Sequence, residues 1–298
     1  MSKETVPSFT TPNRPFTWLI TGCSSGFGLA LTREIQSHPG HTVIATSRNP
    51  SRTPELVAEV EGKGGEWLPL DVTAQDCGQL IDELERTGRH VDVLVNNAGG
   101  SIHGVVEQLS DEEARSQMEL LYFGPYRLIR AALPFMRRRR FGVIVNISSG
   151  AALEGRESMG VYAAAKAALD SLTKVLHKEV APFNVRALYV SMGTFGTNMG
   201  NAAGVQTAPM DEDYKGSTAE ALLNFVTGGK FAADGDVNKA VRAIYEVAAV
   251  EGIGAGREDE VALPLGRDLA KRVTDIVDKW NHTMEVFGDV CNNVYVEK

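Results

Sequence analysis

Two side chains in the stretch MGVYAAAKAALDSL (159–172) have the types and spacing for proton chemistry. Tyr162 and Lys166 lie four residues apart, which in a helix stacks a phenol and an ammonium on one face. Ala163, Ala164 and Ala165 between them leave room beside that face. An isolated phenol, with a pKa near 10, is a poor base at neutral pH. A fixed ammonium about 4 Å away, at an effective dielectric of about 20, is worth about 4 kcal/mol to the phenolate. The spacing therefore predicts a phenol pulled toward neutrality by Lys166 and able to act as a general acid or base.

A second stretch, TGCSSGFG (21–28), offers a place for a ligand beside such a pair. Gly22 permits a tight turn, Gly26 lets the backbone approach a pyrophosphate, and Gly28 lets helix and strand pack closely. Ser24, Ser25 and Phe27 complete this cofactor-binding turn, whose helix start offers free N–H groups and partial positive charge. Following a strand and opening a helix, it reads as a dinucleotide site. The residue closing the second strand chooses between dinucleotides, because an acid there binds a ribose 2′-OH and repels a 2′-phosphate. Ser47 and then Arg48 stand there, a hydroxyl and a guanidinium that suit a phosphate, so the expected cofactor is NADP(H).

LDVT (70–73) ends the third strand with Asp71 and Val72, the acid placed to accept from an adenine amino group. NNAG (96–99) ends the fourth with Asn96, Asn97, Ala98 and Gly99, where the backbone could pass the nicotinamide ribose. Both would serve equally as simple strand-end turns, which Asp, Asn and Gly favour on their own account.

TGCSSGFG, LDVT, NNAG, NISS and YAAAK, in this order and spacing over roughly residues 16–265, resemble the short-chain dehydrogenase/reductase family. The closer likeness is to fungal reductases similar to retinol and 17β-hydroxysteroid dehydrogenases. The resemblance implies that Tyr162 is the proton donor or acceptor, Lys166 its partner and ligand of the nicotinamide ribose, and Ser149 the third catalytic member. It also places Gly193 and Thr197 near the nicotinamide amide and the phosphates. The chain departs from the family at two positions. Leu121 stands where the family's Asn-x-x-Gly has its asparagine, and an apolar side chain cannot hold the helix distortion which that asparagine stabilises. Met192 replaces a usual proline. His103, just after NNAG, is expected on a surface loop rather than in the substrate cavity.

The elements that would position these residues alternate along the chain. Strand-like runs at 16–22, 41–47, 66–71, 91–97, 142–148, 185–191 and 261–266 are separated by helical spacing at 29–37, 111–139, 159–181, 236–250 and 267–280. Near-continuous apolar strands between helices predict a Rossmann-type α/β fold, a doubly wound parallel sheet of about seven strands with helices on both faces. A tail of about 14 residues precedes a single domain, 15–298, with a substrate lid at about 194–232 holding a short helical piece near 218–227. Met199, Val205, Met210, Leu222, Leu223 and Phe225 could cover an apolar substrate, together with segments 100–105 and 150–158.

Composition sets the remaining bounds. The 298 residues are 43% hydrophobic and 23% charged, with a net charge of −8, which disfavours nucleic acid as a partner. The basic run Arg137–Arg140 reads as a solvated helix end. Cys23, Cys77 and Cys291 form neither a disulfide framework nor a metal-spaced pair, and the six histidines lack ligand spacing, so no metal is expected. No apolar run approaches the roughly 18 residues of a membrane span, and the expectation is a soluble cytoplasmic protein. The function expected is hydride transfer between NADP(H) and the carbonyl or alcohol of a small to medium apolar substrate. Two other readings are a recruited non-redox cyclisation or isomerisation and a catalytically weak cofactor-binding protein. The family resemblance suggests a homodimer or homotetramer packed through the helices at 111–139 and 159–181.

Overall fold

The computed structural model of the chain describes residues 9–197, 204–228 and 233–296. Seven strands form one sheet: β1 (Thr17–Ile20), β2 (Thr42–Ser47), β3 (Glu66–Pro69), β4 (Val93–Asn96), β5 (Gly142–Ile147), β6 (Val185–Met192) and β7 (Ala262–Leu265). Their order across the sheet is β3-β2-β1-β4-β5-β6-β7, and every pairing is parallel. The order reverses beside β1, so the carboxyl ends of β1 and β4 open a crevice where such sheets bind ligands.

Every residue of β4, β5 and β6 is buried, as a sheet covered on both faces requires. Alternation sorts them. Trp18, Ile20, Val43, Val93 and Val143 pack under α1 (Gly26–Gln36) and α9 (Val237–Ala249), whereas Leu19, Ile44, Leu94 and Ile144 face the opposite layer. That layer holds α3 (Gln79–Arg86), α5 (Gly124–Arg139) and α7 (Gly160–Val180). The doubly wound fold expected above is therefore present. The sequence reading placed no helix at α3 or at α2 (Pro54–Gly62), short helices that bury three residues and one residue.

The long helix expected at 111–139 is interrupted. It opens as α4 (Asp111–Met118), with a Ser110–Glu113 capping box, passes through a π-helical turn at Glu119–Phe123, and resumes as α5. The distortion is thus present although Leu121 replaces the asparagine. Two local features account for it. Pro125 has no N–H to give the carbonyl of Leu121, and Gly124 lies so close to Val72 that a Cβ would come 2.6 Å from its carbonyl oxygen. Arg137 and Arg138 close α5 exposed, as expected of a solvated basic helix end, whereas Arg139 turns inward to donate to both carboxylate oxygens of the buried Glu85.

Within the N-terminal segment, Arg14 grips both carboxylate oxygens of Asp92 at 2.8 Å, and Thr10 exchanges hydrogen bonds with Asn184. Residues 10–14 therefore lie against the body of the domain. In the lid, Ile102–His103 pairs with Gly204–Val205, and α8 (Thr218–Thr227) matches the helical piece expected there. Met199 lies outside the described residues. The last helix, α10 (Arg267–Asn292), runs twelve residues beyond the expected end at Trp280.

Candidate active site

The glycine-rich turn is built on contacts that tolerate no side chain. Gly22 has φ +73°, and a Cβ there would come 2.7 Å from Ala98 Cα; one on Gly28 would meet the Gly22 carbonyl at 2.4 Å. Gly26 also has positive φ, but a Cβ there would meet only Thr197, at 3.8 Å, so the space above it is open. Ser25 is the N-cap of α1 and makes no side-chain cap, and no acid occupies the first turn. The first N–H groups of α1 are thus left for an anion, and the cradle fits a dinucleotide pyrophosphate.

Asn97 ties this turn to β4. Its Nδ2 donates to the carbonyls of Thr21 and Gly22 at 2.8 and 3.2 Å, while Thr21 Oγ1 accepts from the backbone of Asn97 and Ala98. Asn96 differs from the sequence expectation. It is paired in register with Asn146, to which its Nδ2 donates at 2.8 Å, and Asn146 donates onward to Thr173. Alternation points neighbouring strand residues to opposite faces, so Asn97 reaches the crevice and Asn96 is a buried sheet residue.

At the adenosine end, Ser47 is buried and its hydroxyl accepts from Trp67 Nε1 at 3.0 Å, which leaves its O–H free to donate outward. Arg48 beside it is exposed. Asp71 accepts from the backbone and hydroxyl of Thr73, and Val72 is buried. The strand-end turn reading of LDVT is therefore realised, with one carboxylate oxygen kept in the turn.

One cavity joins the remaining residues. Phe27, Asn97, Gly99, Leu121, Ser149, Tyr162, Lys166, Met192, Gly193 and Thr197 all line it. Ser149 hydrogen-bonds to the Tyr162 phenol and also caps Ala151 N. Lys166 Nζ donates to the carbonyl of Ile147 at 2.6 Å. The tyrosine and lysine singled out by spacing and the serine implied by the resemblance thus share one cavity.

The electrostatics run against the expectation. Burial pushes the Tyr162 phenol up, and the carboxylate of Asp170 adds to this, against a smaller lowering by Ser149. Burial also pulls Lys166 down, to about 8. The lysine thus loses its charge before the pH at which the phenol would ionise, and an uncharged amine does not stabilise a phenolate. Without other positive charge at the site, Tyr162 stays protonated at neutral pH.

Asp170 was not singled out by sequence. It lies one turn beyond Lys166 on the same face of α7 and is 4% exposed. Burial pushes its carboxyl up to about 6, opposed by the neighbouring Ser148 hydroxyl and by the charges of Lys166 and Lys174. The four-residue spacing Tyr162, Lys166, Asp170 was the available signal.

Several residues that line the cavity were missed as well. His103 is not on a surface loop. Strand pairing with 204–205 draws it inward to 2% exposure, where Nε2 contacts Ser101 Oγ at 2.8 Å and burial lowers its pKa. Arg156 and Arg272 also line the cavity and share Glu154, at 3.0 and 3.3 Å, while Arg272 also binds Asp268 at 2.7 Å. Of the expected lid residues, Leu222 and Phe225 line the cavity, joined by Val226; Leu223 is buried, and Val205 and Met210 lie outside.

Comparison with known proteins gives concordant relatives. Residues 17–207 match the model of a family described as short chain dehydrogenase. Oxidoreductase claN of Passalora fulva is 39% identical over 214 residues, covering 72% of this chain and 96% of that protein. Human retinol dehydrogenase 8 is 35% identical over 218 residues, covering 71% and 68%. Among solved structures, a short-chain dehydrogenase from Streptomyces avermitilis superposes with a TM-score of 0.82 at 34% identity, covering 95% of this chain and all of that one.

Proposed function

Since the chain belongs to the short-chain dehydrogenase family and is an oxidoreductase, we propose that it reduces the carbonyl of an apolar small molecule with NADPH, or runs the reverse oxidation. The observation that carries this reading is the convergence of Ser149, Tyr162 and Lys166 on one apolar cavity reached by the glycine-rich turn.

Gly22, Ser24, Ser25, Gly26, Phe27 and Gly28 would hold the pyrophosphate, with Ser47 and Arg48 at the 2′-phosphate. Asp71 and Val72 would border the adenine, and Asn97, Ala98, Gly99, Gly193 and Thr197 the nicotinamide end. The bound cofactor supplies or accepts the hydride. Ser149 donates a hydrogen bond to the substrate oxygen and orients it toward the phenol. Tyr162, held protonated by burial, delivers its proton to that oxygen as negative charge develops there. Lys166 anchors to Ile147 and presents its remaining N–H donors to the ribose hydroxyls. Leu121, Met192, Leu222, Phe225 and Val226 exclude water around the reacting carbon.

Nucleotide preference is tested at Arg48. Arg48→Ala is expected to weaken NADPH at least about tenfold while changing NADH little, because only the former carries the phosphate a guanidinium can grip. Titration of cofactor fluorescence reads this, and equal losses for both cofactors would remove the assignment.

Asp170→Asn tests the carboxylate beneath the lysine. The amide keeps the shape of the side chain but no longer favours the ammonium, so the Lys166 pKa falls further. The limb of the pH–rate profile that follows Lys166 should move to lower pH, with NADPH affinity kept at low pH. An unchanged profile would show that Asp170 only fills space.

A further inference from the structure

The structure assigns α10 as the contact through which this chain pairs with a second copy of itself. The first turns of the helix belong to the domain. Leu269 is 1% exposed against Gly150 and Gly193, and Asp268 accepts from both the backbone and hydroxyl of Thr194. The main supports of the helix are α6 (Ala151–Glu154) and β7, and from residue 273 to 296 no residue is buried.

The apolar stripe that begins at Leu269 nevertheless continues. Val273, Trp280, Phe287 and Val294 follow at seven-residue intervals, and Val277, Met284 and Cys291 form a second series four residues beyond the first three. Alternating steps of four and three are the repeat by which helices pack knobs into holes, and within the helix they extend from Val273 to Cys291, over about 27 Å, with Val294 just past its end. These side chains are open to solvent: Trp280 is 65% exposed, Phe287 58% and Val277 51%. Together they leave roughly 600 Å² of apolar surface per copy, and two copies would bury about 1,200 Å², the lower bound of stable specific interfaces.

The charges choose the occupant. Between residues 273 and 296 the helix and its end carry Asp275, Asp278, Glu285 and Asp289 against the single cation Lys279. Interfacial membrane helices place Lys and Arg beside their apolar stripe, and four carboxylates would be repelled by an anionic lipid surface. No helix among the described residues is long and apolar enough to cross a membrane. The positions flanking the stripe are Thr274, Asn281 and Gly288 on one side and Ile276, Thr283 and Val290 on the other. They carry no charge, so a second copy meets no like-charge repulsion along the seam.

Sedimentation of the full chain at micromolar concentration tests this. The wild type should associate, and Trp280→Lys with Phe287→Lys should lose one association step, dimer to monomer or tetramer to dimer, with unchanged NADPH binding. Cys291 is exposed while Cys23 and Cys77 are buried, so its rate of maleimide alkylation gives a second readout. That rate should fall several-fold as wild-type protein is concentrated and stay constant in the double variant. An unchanged mass in the double variant, a monomeric wild type, or wild-type co-sedimentation with phosphatidylcholine–phosphatidylserine vesicles would each overturn the assignment.

Discussion

Tyr162→Phe should lower kcat about 1,000-fold while leaving the dissociation constant of NADPH within about twofold of wild type, the loss typical of removing a positioned general acid. The substitution deletes one oxygen from a side chain that is 4% exposed and leaves the ring to fill its place. Stopped-flow hydride transfer and cofactor titration separate the two quantities. A variant with near wild-type turnover would mean that some other group supplies the proton.

The same residue sets a pH dependence with opposite signs in the two directions. Burial raises the phenol above its ordinary value, so carbonyl reduction, which needs the protonated form, should hold steady through neutral pH. Alcohol oxidation needs the ionised form, and its initial rate should climb as the solution becomes more alkaline. Positive charge on the oxidised cofactor would shift that climb to lower pH, without reversing its sign. Equal profiles in both directions would contradict the assignment of the proton to Tyr162.

Gly28→Ala should cost at least about 100-fold in NADPH affinity, which corresponds to about 3 kcal/mol. The added methyl would sit 2.4 Å from the Gly22 carbonyl and 2.5 Å from Asn97 Nδ2. One of these is backbone that already has positive φ and abuts Ala98, so the turn itself must shift. Calorimetric titration measures the affinity, and a melting curve of the cofactor-free protein separates a misplaced cradle from global instability. Affinity within threefold of wild type would show that the turn does not carry the pyrophosphate.

What could be read in the sequence was whatever is local. The glycine turn follows from backbone sterics over eight residues, and the tyrosine–lysine stack from the pitch of one helix. The wall of the cavity is not local. His103 is drawn inward by strand pairing with residues about a hundred positions away, and Arg272 reaches the site from the last helix. Neither contact leaves a trace in spacing. The π-helical turn was misjudged for another reason. The side chain of Leu121 does not decide the turn; Gly124 and Pro125 after it shape the backbone. The protonation of Tyr162 was misjudged because a spacing gives separation but not burial, and here desolvation acts on phenol and ammonium alike.

The reaction chamber has two halves that end at different points of the chain. On the proposed assignment, the side that would face the nicotinamide is built within residues 17–207, the part that matches the family model. The side facing the rest of the substrate is closed by Leu222, Phe225, Val226 and Arg272, all beyond that part. On that assignment, substitutions at these four residues would alter which substrate fits while leaving the coenzyme cradle and the proton donor in place.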